Sequence, residues 1–142
     1  MSTQPLLATH RPQLLHAMLR VRDLSRALNF YCGVLGLREL RRIVFEAEGR
    51  TLVFLGMPDE VGGGPGGMQI ELWHESDGVA IAHPLRAGHV GIGVRDIAGC
   101  VATLAAAGVE ILKHPAPVRP GGRVIAMIRD PDGHEIELLA SD

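Results

Sequence analysis

Apolar and polar residues alternate along the first regular stretch of the chain and then change to a helical spacing. Residues 14–21 alternate in the manner of a β-strand, which places His16 and Arg20 on the same face. After this strand, apolar residues recur at i, i+3, i+4 and i+7 behind Asp23, a suitable N-cap, so we predict a helix that ends near Val34. Three further strands are predicted at residues 38–46, 51–55 and 68–73.

The second half of the chain repeats this order of elements. His89 follows His16 by 73 residues, and the V-R-D-L sequence after the first histidine returns as V-R-D-I after the second. The I-E-L sequence at 70–72 returns at 136–138, with an offset of 66 residues, because a glycine-rich segment lengthens the first half. In this half we predict a helix at 96–107 and strands at 89–94, 109–113, 123–128 and 135–139.

The repeat predicts an α+β fold made of two tandem β-α-β-β-β modules, with paired four-stranded mixed sheets. The predicted divisions are a flexible N-terminal tail (1–12), a first module (13–73), a linker (74–88) and a second module (89–142), which together form one domain. One helix per module covers only one face of its sheet. The other face is therefore expected to meet a second sheet.

The composition argues against several classes of function. The 142 residues carry a net charge of −2 and no basic patch, which argues against a nucleic-acid partner. No apolar run approaches the roughly 20 residues that span a bilayer, and the N-terminus lacks the pattern of a signal peptide. We therefore predict a cytoplasmic protein without a membrane partner, in which Cys32 and Cys100 are reduced, partly buried thiols rather than catalytic groups.

Each module offers one histidine at the start of its first strand and one glutamate inside its last strand. Strand alternation turns Glu71 and Glu137 away from their apolar neighbours and toward the face that carries the histidines. Carboxylates on a concave sheet face are costly unless a cation holds them. Two imidazoles and two carboxylates suit a borderline divalent metal, so we predict a metal site built from His16, Glu71, His89 and Glu137, with positions left open for substrate.

These four residues lie in segments that resemble the vicinal oxygen chelate superfamily and, within it, glyoxalase I (lactoylglutathione lyase). The segments are LLHAMLRVRDLSRALNFYCGVLGLRELRR, QIELW, AGHVGIGV and DPDGHEIELL, and the resemblance covers about residues 13–140. It implies that His16, Glu71, His89 and Glu137 are the metal ligands, with the sites at a homodimer interface. It also implies one divalent metal per site, with Ni²⁺ or Co²⁺ favoured and Zn²⁺ as the alternative.

The activity that the resemblance implies is isomerisation of the hemithioacetal of methylglyoxal and a thiol, glutathione in that family, to an S-lactoyl thioester. Glu137 would move the proton between adjacent carbons, with Glu71 as its counterpart. Arg20 matches an arginine that binds a glutathione carboxylate, and Arg119 stands where the family often has a lysine. Trp73 shares a strand face with Glu71, and it either lines the substrate pocket or packs at the subunit interface.

One segment departs from the pattern of that family. After the I-E-L strand the family usually reads close to T-x-N-W-G, and Glu75 stands at the place of the asparagine. A carboxylate there is expected to be a poor neighbour for an anionic tripeptide, so the cosubstrate is glutathione or another thiol. Two other interpretations stay open. One is a different metal enzyme of the same superfamily, such as an epimerase, thiol transferase or dioxygenase, and the other is a metal-free small-molecule binding protein.

Overall fold

A computed structural model of the chain describes residues 8–10, 14–58, 67–77 and 88–141. Two four-stranded sheets form its framework. The first contains β1 (His16–Val21), β2 (Arg38–Phe45), β3 (Arg50–Gly56) and β4 (Gln69–Glu75) in the spatial order β1-β4-β3-β2. The second contains β5 (His89–Val94), β6 (Glu110–Pro117), β7 (Val124–Arg129) and β8 (Glu135–Ala140) in the order β5-β8-β7-β6.

Both sheets are mixed. The first strand of each module runs parallel to the last, and the other neighbouring strands are antiparallel. The predicted α+β fold with two β-α-β-β-β units is therefore confirmed. In each sheet the strand that carries the glutamate is an inner strand, and the strand that carries the histidine is an edge strand.

The helices begin where the sequence predicts. In the first module α1 (Leu24–Leu28) follows Asp23, whose carboxylate accepts a hydrogen bond from the Arg26 backbone N–H at 2.9 Å. The helix continues as a π-helix (Asn29–Val34), which the apolar spacing did not predict, and the Leu35 N–H donates to the Phe30 carbonyl five residues earlier. In the second module α2 spans Ile97–Ala106, with Asp96 as its N-cap.

The helices and one face of each sheet share a single hydrophobic core. Along the strands, side chains that point into this core alternate with side chains on the opposite face of the sheet, as the period of two requires. The fully buried side chains of the core include Tyr31, Val53, Leu55, Leu72, Ile128, Ile136 and Leu138. We call the opposite face of each sheet its site face. On the first sheet it carries Leu52 and Phe54, which are buried but lie outside this core cluster.

Two predicted strand ends are wrong. β4 extends to Glu75, two residues into the segment predicted as a linker. β6 was expected to end at Lys113 and to continue as a loop, but it extends through Pro117. Prolines fit there because β6 is an edge strand, where a missing N–H removes no bond inside the sheet, and because bulges interrupt its register on either side of Lys113.

The predicted tail and linker are described only in part. Residues 8–10 form one short 3₁₀ turn within the predicted tail, while 1–7 and 11–13 lie outside the described residues. Residues 59–66 and 78–87, which include most of the glycine-rich segment and of the predicted linker, also lie outside them. Within the described part of the chain, no helix is long and apolar enough to cross a membrane.

The turn between β7 and β8 docks onto the first module. The Tyr31 hydroxyl donates to a carboxylate oxygen of Asp130 at 2.7 Å, and burial together with this carboxylate raises the pKa of Tyr31 above its ordinary value. The other Asp130 oxygen accepts from the backbone N–H groups of Asp132 and His134 inside the turn. The Asp132 carboxylate in turn accepts from the Arg22 N–H at 3.0 Å. The buried Asp130 therefore joins the two modules.

We expect the Tyr31→Phe variant to lose about 1–3 kcal/mol of unfolding free energy, because the buried Asp130 oxygen loses its donor. Urea unfolding followed by circular dichroism measures the loss. The matched control is Thr103→Val, which removes an exposed hydroxyl that donates to the Gly99 carbonyl and should change stability by no more than about 0.5 kcal/mol. Equal losses in the two variants would contradict this account of Asp130.

Candidate metal centre

His16 and Glu71 form the first pair of candidate metal ligands. They lie on the adjacent parallel strands β1 and β4, and His16 Nε2 is 2.7 Å from Glu71 Oε2. The glutamate is only 6% exposed as a residue, whereas the histidine side chain is 42% exposed. The carboxylate is therefore buried on the site face, and the more exposed imidazole lies beside it.

His89 and Glu137 form the equivalent pair in the second module. They lie on β5 and β8, and His89 Nε2 is 2.5 Å from Glu137 Oε2. The exposed fractions of the two side chains are 46% and 17%, so the carboxylate is again the more buried member. The structure thus brings together each histidine with the glutamate of its own module, as the repeat in the sequence requires.

Each pair offers one imidazole nitrogen and one carboxylate oxygen, a donor set that suits borderline divalent metals. A pair falls short of the three protein ligands that are usual in a catalytic metal site. Among the described residues of one chain, no group of three or more histidine, cysteine, aspartate or glutamate side chains could hold a metal. The four candidate ligands therefore do not converge within the described chain. Each pair is a half-site.

Two side chains support the first half-site, and the sequence analysis assigned neither of them this role. The edge of His16 packs against Phe54, with ring centroids 5.6 Å apart and an interplanar angle of 80°. The Arg41 guanidinium carbon lies 4.0 Å from the centroid of the Phe54 ring. Phe54 is the register partner of Glu71 on β3, so a period of two along β3, combined with the strand pairing, would have found it.

Trp73 and Glu75 continue the site face along β4, and Arg20 continues it along β1. The Trp73 indole N–H donates to Glu75 Oε1 at 2.9 Å, and Arg20 Nη1 lies 3.6 Å from Glu75 Oε2. The Arg20 guanidinium also lies 5.4 Å from the Trp73 ring centroid. Glu75 therefore faces a cation directly, and Arg20 offsets part of its charge.

Arg50, the register partner of Glu75 on β3, completes this end of the site face. Its guanidinium carbon lies 4.7 Å from the Trp73 ring centroid and 4.5 Å from that of Phe45, so it packs between two aromatic rings. Arg50 Nη2 is 3.8 Å from a carboxylate oxygen of Glu48. Two arginines thus flank Trp73, and two carboxylates balance their charge.

Comparison with known proteins shows the family to which the chain belongs. The sequence pattern of the glyoxalase/bleomycin resistance protein/dioxygenase superfamily matches residues 13–138. The chain belongs to this superfamily. Both half-sites, with their four candidate ligands, lie within the matched range.

Relatives within the superfamily carry the name lactoylglutathione lyase. The Haemophilus influenzae enzyme is 39% identical over 89% of this chain and 91% of its own length. A probable lactoylglutathione lyase of Vibrio cholerae is 41% identical over 94% of this chain and 92% of its own length. The chain is thus an enzyme of the glyoxalase I kind.

Solved structures agree with this placement. The trypanothione-dependent glyoxalase I of Leishmania major superposes with a TM-score of 0.73 at 34% identity, and the match covers 91% of this chain and 86% of that one. Glyoxalase I of Zea mays gives a TM-score of 0.74 at 30% identity over 89% of this chain. This chain spans 44% of the maize protein.

The remaining candidates, Arg119 and the two cysteines, belong to neither His–Glu pair. Arg119 is exposed in the turn between β6 and β7, where its backbone carbonyl accepts from the Gly122 N–H at 2.8 Å. Cys32 and Cys100 are free thiols, as predicted. Burial raises the pKa of both cysteines, which is the opposite of what an activated nucleophile requires.

We expect Phe54→Leu to weaken divalent-metal binding about 2- to 10-fold, because loss of an aromatic edge contact loosens the His16 ring. Isothermal titration of apo protein with Co²⁺ or Ni²⁺ measures the affinity. Phe45→Leu is the matched control, since it makes the same substitution on a side chain that stacks on Arg50. An unchanged metal affinity in Phe54→Leu would show that the ring contact does not position His16.

Proposed function

We propose that this chain is a metal-dependent lyase of glyoxalase I type, which converts the hemithioacetal of methylglyoxal and a glutathione-type thiol to an S-lactoyl thioester. The observation that carries the proposal is the recurrence of a glutamate paired with a histidine at equivalent places in both modules. The similarity to lactoylglutathione lyases over about nine-tenths of both chains supports it. We place the reaction in the cytoplasm.

The metal site would form between two copies of the chain. His16 and Glu71 of one protomer would meet the partner's His89 and the partner's Glu137, giving one divalent metal per site. This arrangement is supported by the finding that, within the described chain, neither half-site acquires a third ligand. Ni²⁺ or Co²⁺ is the favoured metal and Zn²⁺ the alternative. When bound, the metal supplies Lewis-acid polarisation of the substrate oxygens.

Glu137 is the proposed proton carrier. It would remove the proton from the carbon that bears sulfur and hydroxyl and return it to the neighbouring carbonyl carbon, while the hydroxyl proton passes to the former carbonyl oxygen, which completes the isomerisation. Its side chain is 17% exposed and that of Glu71 7%, so Glu137 is the more accessible of the two carboxylates. Glu71 occupies the equivalent position in the half-site of the first module. The imidazole beside each carboxylate holds it in place.

The thiol part of the substrate would lie along the site face, away from the reacting carbons. Arg20 and Trp73 would contact it from the first module, since they follow the His16–Glu71 pair along the same face. Arg119 would contact it from the second module. Its side chain is exposed in the turn after β6, and a guanidinium suits an anionic group of the thiol.

We expect Glu137→Gln to lower kcat about 10²- to 10⁴-fold, because the amide cannot accept the proton. The measurement is the steady-state formation of thioester, followed by absorbance, with protein reconstituted in Ni²⁺ or Co²⁺. Glu110→Gln is the control, since it also removes one carboxylate, here one that pairs with Arg129 on the exposed surface. Wild-type turnover in Glu137→Gln would remove this residue as the proton carrier.

Mixed dimers test whether the site is shared between subunits. One variant carries His16→Ala with Glu71→Gln, and the other carries His89→Ala with Glu137→Gln. Each is expected to be inactive alone. After unfolding and refolding in equal amounts, the mixture should recover about a quarter of wild-type activity, because half of the dimers are mixed and each contains one intact site. If each chain formed its own site, the mixture would stay inactive.

A further inference from the structure

The row of residues that crosses the first sheet at Glu71 ends in a cation that the proton transfer does not use. Strand pairing sets Phe54 of β3 opposite Glu71, and Arg41 of the edge strand β2 opposite Phe54. Register partners share a face of the sheet, so all three residues lie on the site face. This row runs across the strands, whereas Arg20 and Trp73 follow the candidate ligands along the strands. Arg41 therefore lies in a different direction from the residues proposed to contact the thiol.

The Arg41 side chain lies over the sheet. Its guanidinium carbon is 4.0 Å from the centroid of the Phe54 ring, within the range of a cation–π contact. Phe54 is 4% exposed, whereas Arg41 remains exposed. Neighbouring strands are about 4.8 Å apart, so a cation over Phe54 lies roughly one strand spacing from β4, which carries Glu71. Arg41 thus presents an exposed positive charge beside the place where the substrate would react.

The charge of Arg41 is available to a ligand. In the part of the chain that the structure describes, Arg41 forms no salt bridge. Glu39, the acidic residue of β2, accepts two hydrogen bonds of 2.8 Å from Arg42. Both of these residues pair with core residues of β3, so they lie on the opposite face of the sheet from Arg41. Glu71, in the row of Arg41, is contacted by His16 at 2.7 Å.

The second module has a basic residue at the corresponding place. Its row runs from Glu137 on β8 through Met127 on β7 to Lys113 on the edge strand β6. Charged residues on edge strands prevent pairing with other sheets, which accounts for a cation at the edge of each sheet. That role does not require a contact with an aromatic ring beside the metal ligands. The position of Arg41 over Phe54 is better explained by a role on the site face.

The hemithioacetal has a second substituent besides the thiol, on its carbonyl carbon. If the thiol follows the strands, this substituent is free to cross the sheet toward β2. It would first meet the apolar side chains of Phe54 and Leu52, and then the guanidinium of Arg41. A methyl group leaves the guanidinium without a partner. A longer substituent that ends in a carboxylate or phosphate can form charge-assisted hydrogen bonds with it.

We propose that Arg41 is a specificity-determining residue, which selects 2-oxoaldehydes whose substituent ends in an anionic group. The anionic group, a carboxylate or a phosphate, binds the Arg41 guanidinium, and the apolar part of the substituent lies against Phe54. The inference rests on the proposed function and concerns the aldehyde, not the thiol. It extends the substrate class from methylglyoxal to longer 2-oxoaldehydes with a negative charge at the far end.

A matched pair of ligands tests the inference by binding alone. S-(p-carboxybenzyl)glutathione and its neutral carboxamide, S-(p-carbamoylbenzyl)glutathione, are titrated calorimetrically into metal-loaded protein. The wild type should bind the carboxylate about tenfold or more tightly, as expected for a hydrogen bond between charged groups. In Arg41→Gln the two affinities should differ by no more than about threefold, because the guanidinium is gone. A purely structural role, in which Arg41 holds Phe54, would change both affinities alike and keep their ratio.

Arg42→Gln is the matched control. It removes one arginine charge from the same strand but from the opposite face, so it should keep the wild-type ratio. The glutathione hemithioacetals of p-carboxyphenylglyoxal and p-carbamoylphenylglyoxal should show the same preference in kcat/KM. The inference is overturned if the two conjugates bind equally or not at all, or if Arg41→Gln keeps the preference. A preference in binding without turnover of either aldehyde would instead refute the proposed lyase activity alone.

Discussion

The burial of Glu71 is the constraint on which the rest of the site depends. Its carboxylate lies on an inner strand at 6% exposure, where an ion without a partner is strongly disfavoured. His16 contacts it at 2.7 Å, but a neutral imidazole compensates the charge only in part. A divalent cation compensates far more, and it uses the same two donor atoms. The same pairing recurs at His89 and Glu137, so each module has a glutamate that one imidazole contacts on its site face.

Strand order explains why the glutamate of each half-site is less exposed than its histidine. The last strand of each module inserts between the first and the third, so the glutamate comes from an inner strand and the histidine from an edge strand. Neighbours on both sides fix the inner strand and keep water from the carboxylate, while the edge strand leaves the imidazole accessible. A rigid inner strand suits a residue that must hold its geometry. Both sheets have this order, so the two half-sites are built alike.

Period-two alternation and the repeat were enough to predict both sheets and the pairing of each histidine with the glutamate of its module. They did not predict features that depend on hydrogen-bond pattern or cross-strand register. The π-helical turn at Asn29–Val34 has the same apolar spacing as an α-helix, so sequence cannot separate them. β6 was expected to end at Lys113, before the prolines. The prolines fit within β6 because it is a bulged edge strand, a feature that the sequence pattern does not reveal. The packing of Phe54 on His16 likewise depends on which β3 residue lies opposite Glu71.

The contacts between the two modules set the positions of the two half-sites within one chain. The helix faces of both sheets share one core, and the candidate ligands on the opposite faces form no group of three or more among the described residues of one chain. The Asp130 turn fixes this arrangement, because Tyr31 binds Asp130 and the His134 ring contacts the Arg20 carbonyl at 2.7 Å. The same turn leads directly into β8, which carries Glu137. Stable docking within one chain therefore fixes the orientation of β8, and with it the position of Glu137, relative to the first module.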